Sequence, residues 1–142
     1  MRDLAISCAG IDCDRLLTAW QWLLPKDAKP LLLGIFGDWV FGRPDGGHWH
    51  LDLLEGQFHF IAGSSAEFNA KKEKEEYRDE WFGANWAEIA LAHGIEPNYE
   101  ECLGWKVLPI MGAPIALENI CVYPLMAYQT INGEVFRQIA GK

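Results

Sequence analysis

The sequence lacks the features that mark several large classes of protein. It contains no run of about 18 consecutive apolar residues, so it has no candidate membrane span. No basic stretch followed by an apolar run opens it, and we therefore expect no secretory signal peptide. Internal repeats and low-complexity segments are also missing. These absences favour an ordinary globular domain in the cytoplasm.

Cysteine is scarce and is not arranged in a metal-binding or redox motif. The four cysteines lie at positions 8, 13, 102 and 121, and none forms a CxxC pair. We therefore expect reduced, mostly buried thiols rather than a disulfide framework or a zinc site. The phosphate-binding loop, the GxGxxG fingerprint and the GxSxG nucleophile motif are absent as well. No cofactor is predicted.

What the chain does contain is an acidic composition that is rich in apolar residues. Its 142 residues are 50% hydrophobic and 13% aromatic, with a formal net charge of −8. A chain of this length can fold as one domain, residues 1–142, without disulfides or metals. The negative charge favours a basic partner and disfavours nucleic acid and anionic membranes. The composition gives no information about the oligomeric state.

The pattern along the chain predicts an α+β fold. Asp12 is placed to cap a first helix, whose apolar stripe runs to Leu24. Residues 31–62 predict an antiparallel sheet, because apolar and polar residues alternate between turn signals. "SSAEF" then resembles a capping box that opens a polar helix ending in aromatic residues.

The C-terminal segment carries two competing signals. Asn132-Gly133 is the dipeptide most typical of a tight hairpin. The surrounding apolar residues instead recur at helical spacing from Leu125 to Ile139, with Pro124 suited to the start of a helix. The longer pattern predicts a C-terminal helix with an interior glycine. The helices are expected to pack against the sheet.

The segment "HWHLDLLEGQFHFIA" predicts a hairpin with two differently built faces. A two-residue turn at Glu55-Gly56 pairs Leu53 with Phe58 and Leu51 with Phe60. This register places all four apolar side chains in the core, together with Trp49. Truncation of Phe60 should then be strongly destabilising.

The other face of this hairpin carries His50, Asp52 and His59 and supports two interpretations. In the first, Asp52 lies opposite His59 and the three side chains form a metal site, which would make the protein a metal-dependent enzyme. In the second, they belong to the solvated face of the sheet and include a His–Asp pair across the strands. We favour the second interpretation, because no fourth ligand is evident nearby.

Exposed acidic and aromatic residues are the candidates for contact with a partner. Trp22 points away from the apolar stripe of the first helix, and Trp39 and Trp81 are further candidates for exposure. The loops supply acidic candidates, namely Asp38, Asp45 and Glu55. No catalytic constellation emerges from the residues themselves.

Three stretches of the chain resemble the C-terminal domain of type VI secretion immunity proteins, a bacterial family. They are "LLTAWQWLL", "FGDWVFGRPDGGHWHLDLLEGQFHFIAGSSAEF" and "CLGWKVLPIMGAPIALENICVYPLMAYQTINGEVFRQI". The similarity covers most of the chain from about Asp14, and Glu134 stands where the family often has glutamine. Many members carry an additional N-terminal domain that has no counterpart in this sequence. The SUKH immunity superfamily is the nearest rival at the level of the fold.

The resemblance implies a function based on binding rather than on catalysis. Such a protein would inhibit a secreted toxin, often a nuclease, and so protect the producing cell. The family offers no catalytic residues to transfer to this sequence. A metal-dependent enzyme and a general protein-interaction module without a toxin partner are the alternatives.

Overall fold

A computed structural model describes residues 4–142 as strands, short helices and one long C-terminal helix. Seven strands lie within these described residues: β1 (Ala5–Ser7), β2 (Lys29–Gly34), β3 (Trp39–Gly42), β4 (His48–Asp52), β5 (Gln57–Ala62), β6 (Glu101–Trp105) and β7 (Ile120–Pro124). The α-helices are α1 (Cys13–Leu16), α2 (Ser65–Lys72), α3 (Glu75–Phe82), α4 (Ala84–Ala92) and α5 (Leu125–Ile139). Short 3₁₀ turns lie at Thr18–Trp20, Pro109–Met111 and Leu117–Asn119. The predicted α+β class is confirmed.

The main sheet is an antiparallel meander in the order β1-β2-β3-β4-β5. Strands β2 to β5 fall within residues 29–62, which confirms the antiparallel sheet predicted for 31–62. Strand β1 was not predicted, and it pairs along β2 with Ala5 opposite Gly34. Strands β6 and β7 form a separate antiparallel pair.

The first helix is shorter than its apolar stripe predicted. Asp12 caps α1 as expected, since its side chain accepts a hydrogen bond from the Arg15 N–H at 3.2 Å. After four residues, however, α1 gives way to the 3₁₀ turn at Thr18–Trp20. In this turn the fully buried Trp20 donates its indole N–H to Gln129 Oε1 at 3.1 Å.

The capping box at the start of α2 is confirmed. Ser64 Oγ accepts a hydrogen bond from the Glu67 N–H at 3.1 Å, and the Glu67 carboxylate accepts one from the Gly63 N–H. The polar stretch that follows divides into α2 and α3. Phe68 and Trp81 dock these two helices onto the sheet, with their rings stacked 5.3 Å apart.

The C-terminal segment forms the predicted helix rather than the alternative hairpin. Its interior glycine is explained by close packing, because a Cβ atom on Gly133 would lie 2.6 Å from the carbonyl oxygen of Ala19. No larger residue fits there unless α5 moves away from the 3₁₀ turn. Glycine lowers the helix propensity of α5, but it allows the helix to pack closely against the 3₁₀ turn.

Both faces of the main sheet are covered, although a solvated face was expected. Trp39 and Leu51 face α1 and α5, whereas Val40 and His50 face α2 to α4. Trp39 and Trp81, which were candidates for exposure, are 0% and 1% exposed. The prediction of a solvated face was wrong because the polar helices have one apolar side, whose aromatic residues pack against this face of the sheet.

The hairpin forms with a longer turn than predicted. Strand β4 ends at Asp52 and β5 begins at Gln57, so Leu51 pairs with Phe58 and Trp49 pairs with Phe60. Asp52 Oδ1 accepts hydrogen bonds from the N–H groups of Leu54 and Glu55, at 2.8 and 3.3 Å, and this side-chain turn competes with the two-residue turn.

This shift corrects the predicted core. Leu51 and Leu53 are buried as expected, at 0% and 4% exposure, but Phe60 is 55% exposed. Phe60 lies on the edge strand β5, where the covering helices do not reach it. Phe58 is half-buried, stacked on Trp49 at 5.1 Å.

We expect Leu51→Ala and Phe60→Ala to differ sharply in stability. Leu51→Ala removes a fully buried side chain from the central core and should lower the free energy of unfolding by about 2–5 kcal/mol. Phe60→Ala should cost about 1 kcal/mol or less, since much of that ring already contacts water. Urea unfolding of both variants checks this. A larger loss of unfolding free energy for Phe60→Ala would instead support the predicted two-residue turn.

Candidate functional site

A cleft opens at one end of the main sheet, where the β2–β3 and β4–β5 turns lie side by side. Its volume is about 530 Å³. Helices α3 and α4, the end of β6 and the loop after it complete its walls. With Tyr128 of α5, the cleft therefore gathers residues from seven separate parts of the chain.

The polar wall of the cleft is almost entirely acidic. Five carboxyl groups line it, those of Asp38, Asp52, Glu55, Asp79 and Glu80. His59 is the one basic side chain in the lining, to which no lysine or arginine from residues 4–142 contributes. The cleft thus presents a concentrated negative charge within a protein whose net charge is already −8.

The second wall is aromatic. The Phe36 and Trp105 rings stack 5.5 Å apart at an interplanar angle of 14°. Trp86 meets Trp105 edge-on at 6.3 Å, and Trp86 is partly exposed to solvent. Flat apolar rings therefore lie beside the carboxyl groups.

Asp38 was expected on an exposed loop, and this expectation is wrong. Its residue is only 9% exposed, and Oδ1 accepts a hydrogen bond from the Leu53 N–H at 2.9 Å. The carboxylate thereby joins the β2–β3 turn to the β4–β5 turn. Its second oxygen, Oδ2, lies 3.8 Å from His50 Nε2. Asp38 supports the floor of the cleft instead of standing in solvent.

His50 lies behind Asp38 and is 1% exposed. Its Nε2–H donates to the backbone carbonyl of Trp81 at 3.0 Å, which ties β4 to α3. Burial alone would lower the pKa of His50, but the adjacent Asp38 carboxylate, the charge of Asp52 and the Trp81 carbonyl together raise it. The surrounding acids thus favour the protonated form of this imidazole.

The three residues of the alternative metal site do not converge as that interpretation requires. His50, not Asp52, lies opposite His59, and their rings meet edge-on at 5.1 Å. Asp52 pairs instead with Gln57. Among residues 4–142, no group of three His, Cys, Asp or Glu side chains has a geometry that could hold a metal ion.

The Asp52 carboxyl group in the cleft has a perturbed pKa. Burial and the neighbouring Asp38 charge raise its pKa from 3.8 to about 6. The charge of His50 and two backbone N–H groups oppose this shift without cancelling it. Its ionised form is therefore incompletely compensated by the protein itself.

The remaining candidates from the sequence lie elsewhere. Asp45 is exposed in the β3–β4 turn, at the opposite end of the sheet, and Oδ1 accepts from the Gly47 N–H at 2.8 Å. Trp22 is half-buried against α5 and donates its indole N–H to the Gly133 carbonyl at 3.2 Å. Of the four predicted partner residues, the cleft unites only Asp38 and Glu55.

Sequence reasoning missed the contribution of the helices to this site. Asp79 and Glu80 stand in "KKEKEEYRDE", which was interpreted as part of a polar helix, and Trp86 was not singled out. The sequence signal that could have placed these residues together is Gly83, which lies between Glu80 and Trp86. That glycine, with φ +62°, lets the chain turn from α3 into α4 directly against Phe36.

No helix within the described part of the chain is long and apolar enough to span a membrane.

We expect Asp52→Asn to change the pH dependence of stability. A carboxyl whose folded pKa is raised takes up protons on folding, so it destabilises the folded protein increasingly as pH rises from 3.8 to about 6. The amide keeps the oxygen that accepts the two N–H groups. The variant should therefore be about 1–2 kcal/mol more stable than the wild type at pH 7 and equally stable near pH 4.

Urea unfolding between pH 4 and pH 7 measures this difference. Asp38, His50, Glu55 and His59 surround Asp52 and are present in both proteins, so the difference between the two curves largely isolates Asp52. A wild type that equals or exceeds the variant at pH 7 would show that the carboxylate is fully compensated.

We also expect native protein purified without a histidine tag to contain no stoichiometric transition metal. The Nε2 of His50 is already engaged by Trp81, and Asp52 by the turn. Elemental analysis checks this directly. One equivalent of zinc that is lost from the His50→Ala and His59→Ala variants would instead favour the metal-dependent enzyme.

Comparison with known proteins gives a matching family and a similar fold among solved structures. The family described as "T6SS immunity protein Tdi1, C-terminal" matches residues 62–135, from the end of β5 through most of α5. The crystal structure of Atu4351 from Agrobacterium tumefaciens superimposes with a TM-score of 0.56 at 13% identity. The alignment covers 92% of this chain and 66% of that one, so this chain spans about two-thirds of its length. The search of curated proteins finds no match.

The structural likeness, at this identity, concerns the fold alone. The family match covers more than half of the 142 residues and includes α3 and α4, which form part of the cleft wall. It agrees with the family that the sequence resembled. The chain belongs to the type VI secretion immunity proteins, in the family of the Tdi1 C-terminal domain.

Proposed function

We propose that this protein neutralises a secreted toxin by binding it directly and covering its active site. Membership of an immunity family supports the role, and the acidic cleft is the observation that supports direct binding. Binding alone would block the toxin, so the mechanism needs neither catalysis by this chain nor a cofactor. We assign this neutralisation to the cytoplasm, a compartment suited to the four free thiols.

Charge supports a basic toxin, and a nuclease is the leading candidate. A nuclease must hold the phosphate backbone with cationic side chains. A partner with a net charge of −8 and five carboxyl groups around one cleft can compete for those cations. Long-range attraction between the two proteins would also accelerate their encounter.

We expect co-expression with the toxin encoded by the neighbouring reading frame to restore growth, and the two proteins to purify as a complex. Raising the salt concentration from 0.01 to 0.15 M shortens the Debye length from ~30 to ~8 Å. Stopped-flow association should therefore slow several-fold, while dissociation, which depends on short-range packing, changes little.

Three results would contradict separate parts of this proposal. An association rate that is indifferent to salt would refute electrostatic steering but leave the neutralisation intact. Rescue without a detectable complex would refute direct occlusion. Neither rescue nor binding would refute neutralisation of that toxin, and a general interaction module would then describe the protein better.

A further inference from the structure

We propose that the cleft receives an arginine side chain of the toxin, while the loop between β6 and β7 packs on an apolar surface beside that arginine. This inference rests on the proposed function and specifies where the toxin binds and with which chemistry. The loop, residues 106–118, is called the apolar loop below. It contributes Ile115 to the lining of the cleft, so the two features adjoin.

The apolar loop exposes large hydrophobic side chains to solvent. Val107, Ile110, Met111 and Ile115 are 53%, 45%, 68% and 46% exposed. Single exposed hydrophobic residues are ordinary, but four within nine residues are typical of a surface that a partner covers. Methionine and aliphatic residues are also well suited to packing against a protein surface.

The exposure of these side chains does not arise from an unanchored backbone. Asn119 is 7% exposed, and its Oδ1 accepts a hydrogen bond from the Val107 N–H at 3.0 Å. Its Nδ2 donates to the carbonyls of Val107 and Pro114, at 2.9 and 3.0 Å. One buried amide therefore fixes the apolar loop at Val107, near its start, and at Pro114, within it. A surface fixed in this way loses little conformational entropy when a partner binds.

The chemistry of the cleft favours a planar cation, the guanidinium group, over a compact ammonium group. Glu55 and Glu80 are exposed at its mouth, and no lysine or arginine among residues 4–142 forms an ion pair with either. Trp86, partly exposed in front of the buried Phe36–Trp105 pair, offers a flat ring beside these carboxylates. A guanidinium can stack on such rings while its N–H groups reach the acids, and an ammonium group matches this geometry less well.

Two further observations agree with a cationic occupant. The Nδ1 atom of His59, on a ring that lines the cleft, is buried without a hydrogen-bond partner. The raised pKa of Asp52 means that an added positive charge would stabilise its ionised form. Anionic and purely apolar ligands would leave these acids uncompensated.

The first experiment measures toxin binding by charge-matched pairs of variants. The double variant Glu55→Gln/Glu80→Gln removes two charges from the cleft, and Glu75→Gln/Glu76→Gln removes two exposed charges from α3 outside it. We expect the cleft variant to raise the Kd for the neighbouring toxin about tenfold or more and the control to raise it less than about twofold.

A second pair tests the apolar loop. Met111→Ser should weaken toxin binding about fivefold or more, whereas Ile139→Ser, at a similarly exposed position on α5, should have little effect. Equal effects within either pair, or no effect of the cleft and loop variants, would overturn the proposed surface. Thermal unfolding of each variant verifies that it folds.

A toxin-free experiment separates failure of this inference from failure of the proposed function. Blocked peptides with one arginine, one lysine or one citrulline are titrated into ¹⁵N-labelled protein at millimolar concentration. The arginine peptide should shift the indole N–H signals of Trp86 and Trp105 most, the citrulline peptide should leave them unchanged, and the cleft variant should abolish the shift.

The outcomes are distinct. Absence of any arginine-specific shift would overturn the proposed occupant even if the toxin binds. An arginine-specific shift without toxin binding would refute the proposed function and leave a cleft for a cationic side chain. A shift together with toxin binding that depends on Glu55 and Glu80 would support both.

Discussion

One buried glutamine connects the parts of this fold. Gln129 on α5 is fully buried, and its Oε1 accepts hydrogen bonds from the indole N–H groups of Trp20 and Trp39, both at 3.1 Å. Its Nε2 donates to the Gly37 carbonyl at 2.7 Å. A single side chain thus joins the N-terminal 3₁₀ turn, strand β3 and the β2–β3 turn to the C-terminal helix. Each of these groups would be costly to bury without its partner, so the burial of each segment depends on the others.

This connection also determines where the acidic cleft forms. Gly37, with φ +87°, brings its carbonyl to Gln129, and the same turn carries Asp38 to the Leu53 N–H. The β2–β3 and β4–β5 turns are therefore fixed side by side at one end of the sheet. Helices α3 and α4 close over that end through His50 and the Trp81 carbonyl. The negative wall of the cleft is thus a consequence of how the core closes.

The sequence predicted local features well and non-local ones poorly. The cap at Asp12, the capping box at Ser64 and the helix from Leu125 depend on neighbours within a few residues, and all three formed. The predicted hairpin register was wrong because the Asp52 side chain stabilises a longer turn by accepting a hydrogen bond from the Leu54 N–H. The alternation of apolar residues does not reveal this hydrogen bond. Asp38 was misplaced for a related reason, since its backbone partner lies 15 residues away. The cleft combines distant segments, so no local pattern could have assembled it.

Because Asn119 fixes the backbone of the apolar loop, the side chains that the loop exposes can vary in evolution while its path is kept. The path of the loop depends on one amide and on backbone groups, which any residue except proline supplies at position 107 and any residue supplies at position 114. The side chains displayed at 107, 110, 111 and 115 are 45% to 68% exposed and are absent from the buried core. Their exchange one at a time should therefore cost less stability than a change in the core. A lineage could in this way follow a diversifying antagonist by point substitution while its scaffold stays unchanged.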